Sequence, residues 1–230
     1  MALVDSVGYD LGRYREPQEY KKPPLIIRFF KNFILVFFFS LVVFFTVNFP
    51  AYMAIASYKI NPIKFLKETP QIGNASIVSG GQAAILSKSV KQYPDSTLFI
   101  PKVGVEAPIS WSTSQDGIMD VLQKGLVHIA GTGKPGEGKN IFVTGHSSNY
   151  WWKEGNYNTV FALLPELIKN DEIFITYQGK FYKYKIFDTK EVSPKEVENY
   201  IETKDEQLTL MTCVPVGTNL RRLLIFAKPN

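Results

Sequence analysis

From Phe33 to Ala56 the chain reads FILVFFFSLVVFFTVNFPAYMAIA, without one charged residue. As a helix this stretch extends roughly 36 Å, against a hydrocarbon core of about 30 Å. A crossing segment has to be helical, because in lipid every backbone polar group must be satisfied within the segment. A buried core helix would show a polar face, and residues 33–45 show none. The run is also longer, and starts further in, than the apolar region of a cleaved signal peptide, about 7–15 residues. The reading is an uncleaved anchor over 33–56. Asn48 and Pro50 weaken its second half, which leaves Ile26 to Phe49 as the other placement.

Flanking charge sets the orientation. Arg13, Arg15, Lys21, Lys22, Arg28 and Lys31 precede the run, and only Lys59, Lys64 and Lys67 follow it closely. Positive charge stays in the cytoplasm, so residues 1–32 form a cytoplasmic tail and the rest faces outward. The pro-rich, glycine-containing stretch 57–95 reads as a stalk with a weak helical patch from Gln82 to Tyr93. Residues 96–230 are left for one domain. The net charge of +5 is divided between the two sides of the anchor and forms no basic block. Nucleic acid is therefore not an expected partner.

From Ser96 onward short β-rich runs dominate: 97–105, 106–110, 125–129, 140–144, 172–177, 181–188, 208–213 and 223–227. Gln178-Gly179-Lys180 marks a hairpin between two of them. One helix is expected at Thr159–Lys169, interrupted by Pro165, and a second short one at Val192–Tyr200. About eight strands with long excursions suggest a closed or nearly closed β-barrel. The fold class is mainly β: a barrel with a few short helices, preceded by one transmembrane helix.

One cysteine and two histidines exclude an internal disulfide and the usual structural zinc sites. The glycine-rich stretch from Gly131 lacks the Lys-Ser/Thr of a phosphate loop. What remains is a Cys, a His and an Arg at the edges of apolar strands. Cys213 ends LTLMTC, His146 follows IFVTG, and Arg222 opens the last strand nine residues after Cys213. Strand ends present reactive groups on a rigid support. A thiol is mostly un-ionised at neutral pH, so it gains from a neighbouring base or cation. Histidine can take its proton and pass it to a leaving amine. An arginine aimed at the carbonyl can stabilise an oxyanion. Taken singly, such residues are more often a buried thiol, a structural or merely exposed histidine and a surface charge.

Together they carry a resemblance. Thr209-Leu210-Met211-Thr212-Cys213 matches the T-L-x-T-C signature of the sortases, followed at suitable spacing by Arg222. Gly125–Thr132 and Pro135–His146 resemble the segment leading to that family's histidine, and Phe99–Val105 resembles its first strand. The likeness covers about residues 95–230. It implies an eight-stranded barrel with Cys213 as nucleophile, His146 as acid/base and Arg222 near the oxyanion. No cofactor or metal is implied. It also implies cleavage of an LPXTG-like C-terminal sorting motif through a thioacyl-enzyme. The acyl group then passes to an amine of peptidoglycan or a pilin, so the partners are surface proteins bearing the motif, the amine acceptor and the membrane.

Thr212 is expected to line the substrate groove, His128 to be structural or supporting, and Arg222 rather than Arg221 to face the thiol. Tyr150, Trp151, Trp152 and Tyr157 stand as a substrate wall, as core packing or as a membrane-facing patch. The Asp-Pro-aromatic lid motif of pilin-building relatives is not found in the sequence, which favours single attachment over polymerisation. The rival readings are another extracytoplasmic cysteine hydrolase or L,D-transpeptidase, and a non-catalytic tethered binding domain. Cys213 lies after His146, unlike the papain order, and the Ser-His-Gly-Cys context of L,D-transpeptidases does not occur.

Overall fold

Eight strands close on themselves in the spatial order Thr97–Ile100, Val105–Thr113, Leu126–Ile129, Asn140–Thr144, Gln207–Val214, Arg221–Pro229, Lys180–Val192 and Glu172–Tyr177. The structure is a computed structural model, and it describes residues 24–68, 93–113, 117–150, 152–203 and 205–230. Most of the expected tail, all of the patch Gln82–Tyr93 except Tyr93 itself, and Trp151 lie outside these residues. The chain divides into two units, one up to Val42 and one from Val43 to Asn230.

Helix α1 spans Leu25–Val47, 23 residues with none buried. It is long and apolar enough to cross a membrane. The apolar run does not continue as one helix to Ala56. Asn48 intervenes, and a second helix, α2 (Phe49–Ile60), begins with Pro50 in its first turn. Proline is well placed there, since first-turn N–H groups have no intrahelical partner.

In the second unit the strands are β1 (Thr97–Ile100), β2 (Val105–Thr113), β3 (Leu126–Ile129) and β4 (Asn140–Thr144). They are followed by β5 (Glu172–Tyr177), β6 (Lys180–Val192), β7 (Gln207–Val214) and β8 (Arg221–Pro229). The run 97–105 is split because Pro101 has no N–H for the ladder, and a 3-10 turn, Pro101–Val103, takes its place. Gln178 and Gly179, both at positive φ, make the tight turn between β5 and β6, the form that matches the strands' right-handed twist. β6 is longer than the sequence suggests. Its first half pairs with β5 and its second with β8, with a register shift between Ile186 and Asp188. Such a bulge bends a strand, which helps the sheet close.

Alternation places the core. Ile141, Val143, Leu208, Leu210, Val214, Leu223 and Ile225 join the main buried cluster. Their neighbours Phe142, Leu224 and Phe226 form a second cluster on the other face. β4 is thus buried on both faces, and all five of its residues are buried, which explains its unbroken apolar sequence. Val197 and Tyr200, from the 3-10 segment Pro194–Tyr200, cover that second cluster. A capping box between Ser193 and Glu196 starts this segment, where the second short helix is expected.

The helix expected at Thr159–Lys169 does not form; turns and one 3-10 segment, Leu164–Glu166, stand there. Phe161, Leu163, Leu164 and Leu167 are all buried in the main cluster. These four side chains plug the main cluster while Pro165, Ile168 and Lys169 stay exposed, and Pro165 removes an N–H that a helix would use. One short helix without a strong sequence signal, α3 (Ile118–Leu122), precedes β3.

Candidate active site

Register brings the three sequence-chosen residues into one row. β4 pairs with β7 in parallel, Val143 beside Leu210 and Thr144 beside Met211. Continuing by two residues puts His146 beside Cys213. The continuation is held by hydrogen bonds: the Gly145 N–H donates to the Met211 carbonyl at 3.2 Å, and the Thr212 hydroxyl donates to the Gly145 carbonyl at 2.9 Å. On the other side β7 pairs antiparallel with β8, and Cys213 stands opposite Arg222. Register partners in adjacent strands project from the same face, with strands about 4.8 Å apart. Thr212 and Val214 are buried, so the intervening Cys213 points away from the core. It is partly exposed and in no disulfide.

A cleft of about 360 Å³ opens at this row. Its walls include His146, Ser148, Asn149 and Cys213, with Gly217 and Asn219 from the β7–β8 loop. The Gly217 N–H donates to the Ser148 hydroxyl at 3.0 Å, tying the loop after the histidine to the loop after the cysteine. The Phe161 N–H donates to the His146 carbonyl at 2.9 Å and fixes the histidine backbone. Gly145 packs closely there. A Cβ at that position would lie 2.6 Å from a Leu126 methyl and 2.7 Å from the Phe161 ring.

His146 Nε2 is buried without a hydrogen-bond partner. Burial pushes the His146 pKa below its ordinary value, so at pH 7 the ring is neutral and able to accept a proton. In the unfolded chain histidine titrates near 6.5. Between the folded and unfolded values the unfolded state binds more protons, so stability is complete above about 6.5 and declines as pH falls through that window. Acidification from pH 7 to about 5.5 is expected to lower the melting temperature of the micelle-solubilised protein. His146→Gln is expected to flatten part of that decline. The check is thermal melting followed across pH for both proteins, and equal slopes would count against a depressed pKa. His128 keeps the remainder, because its pKa is also lowered, chiefly by burial.

His128 does not enter the cleft. It is fully buried; its Nδ1 accepts from the Ser112 N–H at 3.2 Å, and its Nε2 donates to the Gly133 carbonyl at 2.7 Å. Both ring nitrogens are used structurally. Thr212, expected in the substrate groove, is instead turned inward on the Gly145 carbonyl and does not line the cleft. It positions the histidine strand against the cysteine strand.

Arg222 projects on the Cys213 side, while Arg221 stands opposite Val214 and pairs with Glu191 at 3.5 Å. The Arg222 guanidinium rests on the carbonyls of Asn219 and Arg221, at 2.9 and 3.1 Å. It is not among the lining residues. Tyr150 lines the cleft and stacks on Trp152 with centroids 4.8 Å apart; Tyr157 packs instead against the core. Asn48 and Ser148 are cleft residues that sequence reasoning missed. The one available signal was a polar Asn48 inside an apolar run. Among the described residues, no group of three or more His, Cys, Asp or Glu is placed to hold a metal ion.

The family model "Sortase domain" matches residues 98–230, more than half of the chain. The chain belongs to the sortase family. It is 30% identical to sortase D of Bacillus subtilis (strain 168) over 57% of this chain and 61% of that protein. It is 26% identical to sortase A of Bacillus anthracis over 55% of each. The chain thus spans less than two thirds of the length of these curated relatives. Among solved structures, sortase C-1 from Actinomyces oris is 28% identical, with a TM-score of 0.50 over 58% of this chain and 72% of that one. Sortase C1 of GBS pilus island 1 is 25% identical, also with a TM-score of 0.50, over 58% and 63%. The closed barrel is the sortase architecture, and the matched residues contain the whole His146–Cys213–Arg222 row.

Proposed function

We propose that this sortase is a membrane-anchored cysteine transpeptidase that cleaves an LPXTG-like sorting motif and joins the freed acyl group to an amine of peptidoglycan or a pilin. α1 is the anchor, with its N-terminus cytoplasmic and the barrel outside. The observation that carries the reading is the row of His146, Cys213 and Arg222 across three neighbouring strand lines.

In the first half-reaction the Cys213 thiol gives its proton to His146 as sulfur attacks the scissile carbonyl. The guanidinium of Arg222 stabilises the oxyanion. Collapse breaks the C–N bond, and the imidazolium returns the proton to the leaving amine, leaving a thioester. In the second half-reaction an incoming amine attacks that thioester and yields its proton through His146, and the thiol is restored. No other reactant is needed.

The test is intact-mass spectrometry of the full chain in micelles with an LPXTG peptide, with and without hydroxylamine. The expected result is an acyl adduct on Cys213 and a hydroxamate product. Cleavage of peptidoglycan cross-links with no peptide adduct would overturn the reading in favour of another wall enzyme.

A further inference from the structure

The last residue of α1 and the segment after it are built into the catalytic cleft. Val47 and Asn48 line it together with His146 and Cys213. Three sets of contacts hold the segment there. The Tyr52 hydroxyl donates to the Val216 carbonyl at 3.1 Å, across 164 positions of sequence. Ala51, only 1% exposed, packs with Ala162 and Val216, and Ile55 lies against the same cluster. Asn48, 7% exposed, sits against Gly217, where an added Cβ would lie 2.8 Å from the Asn48 side-chain carbon. Gly217 has φ +87, a conformation that side chains other than glycine rarely adopt. Position 217 is thus restricted to glycine by its backbone, and a Cβ there would also force the Asn48 side chain to shift.

The contacts fall on both catalytic loops, since Val216 and Gly217 follow Cys213 and Ala162 lies in the segment after His146. Asn48 itself has a fixed pose, because its amide NH2 donates to the Phe44 carbonyl at 2.9 Å. That leaves its side-chain oxygen as the group to offer a ligand. An extended peptide entering a cleft brings backbone N–H groups that need acceptors once water is displaced.

We propose that the α1–α2 junction is a wall of the substrate cleft and that Asn48 is a substrate-binding residue, its side-chain oxygen accepting a backbone N–H of the bound peptide. This rests on the peptide-transferase reading above. The cleft is therefore complete only in a chain that keeps the residues following the anchor.

The test uses the full chain in detergent micelles and has two readouts. With an LPXTG peptide, Asn48→Ala is expected to raise KM about tenfold while kcat changes less than about twofold, the sign of a binding contact present in ground and transition states alike. An unchanged KM overturns the role of Asn48. Independently of any peptide, Tyr52→Phe and Ala51→Trp loosen the docked segment, and alkylation of Cys213 by a bulky maleimide is expected to become several-fold faster. Tyr52→Phe removes only a hydroxyl, so it remains informative even if the tryptophan variant fails to fold. Wild-type alkylation rates in both folded variants overturn the wall. Faster alkylation alongside a wild-type protein that processes no sorting peptide defeats the peptide reading while supporting the wall.

Discussion

Cys213→Ala is expected to leave a folded barrel with no measurable transpeptidation, a loss of at least about 10⁴-fold if the sulfur forms the covalent intermediate. The structure explains why folding survives. Cys213 is partly exposed, projects away from the main cluster and takes part in no disulfide. Its neighbours Thr212 and Val214 are the buried residues of this strand end, and they are untouched. Substitutions away from core, cap and network features usually change stability by about 0.5 kcal/mol or less. The measurements are product formation by mass spectrometry and melting temperature on the same preparation. An alanine variant that still joins peptide to amine would remove the sulfur from the mechanism. Cys213→Ser sharpens the point. It keeps the shape, but a hydroxyl is a far weaker nucleophile beside a neutral imidazole, so a comparably large loss is expected.

The fold was legible in sequence wherever local chemistry decides it. Alternating apolar residues marked the strands, Gln178-Gly179 marked the hairpin, and LTLMTC and IFVTGH marked the two strand ends of the site. Non-local pairing decided the remainder. Nothing in the spacing of 140–144 and 208–213 announces that β4 and β7 run in parallel, yet that pairing sets His146 beside Cys213. Thr212 looked like a groove residue because it adjoins the nucleophile, but period-two alternation turns it to the other face. Thr159–Lys169 looked helical because its three leucines and one alanine favour a helix, and the burial of Phe161, Leu163, Leu164 and Leu167 outweighed that propensity. Asn48 was the least legible residue of the cleft. Its neighbour Gly217 lies far away in sequence, and its own context reads as membrane.

The same register predicts different roles for two adjacent arginines. Arg222→Ala is expected to lower kcat/KM for a sorting peptide by about 10²–10³, the cost of losing one oxyanion donor. Arg221→Ala is expected to stay within about threefold of wild type, as for a typical exposed ion pair. Arg222 stands opposite Cys213, whereas Arg221 stands opposite Val214 and is bonded to Glu191. Arg222 donates from Nη1 to the Asn219 and Arg221 carbonyls. Its guanidinium has five N–H donors in a rigid fork, so donors remain for a developing negative charge once the side chain swings toward the cleft. Arg222→Lys is expected to recover only part of the activity. It restores the positive charge but not the fork, and an ammonium on a flexible stem is less well aimed at one oxygen. Single-turnover acylation rates with one peptide across the three variants decide the matter. Equal losses at 221 and 222 would mean that general positive charge near the cleft, rather than a donor aimed along the row, assists the reaction, and a larger loss at 221 would reverse the assignment.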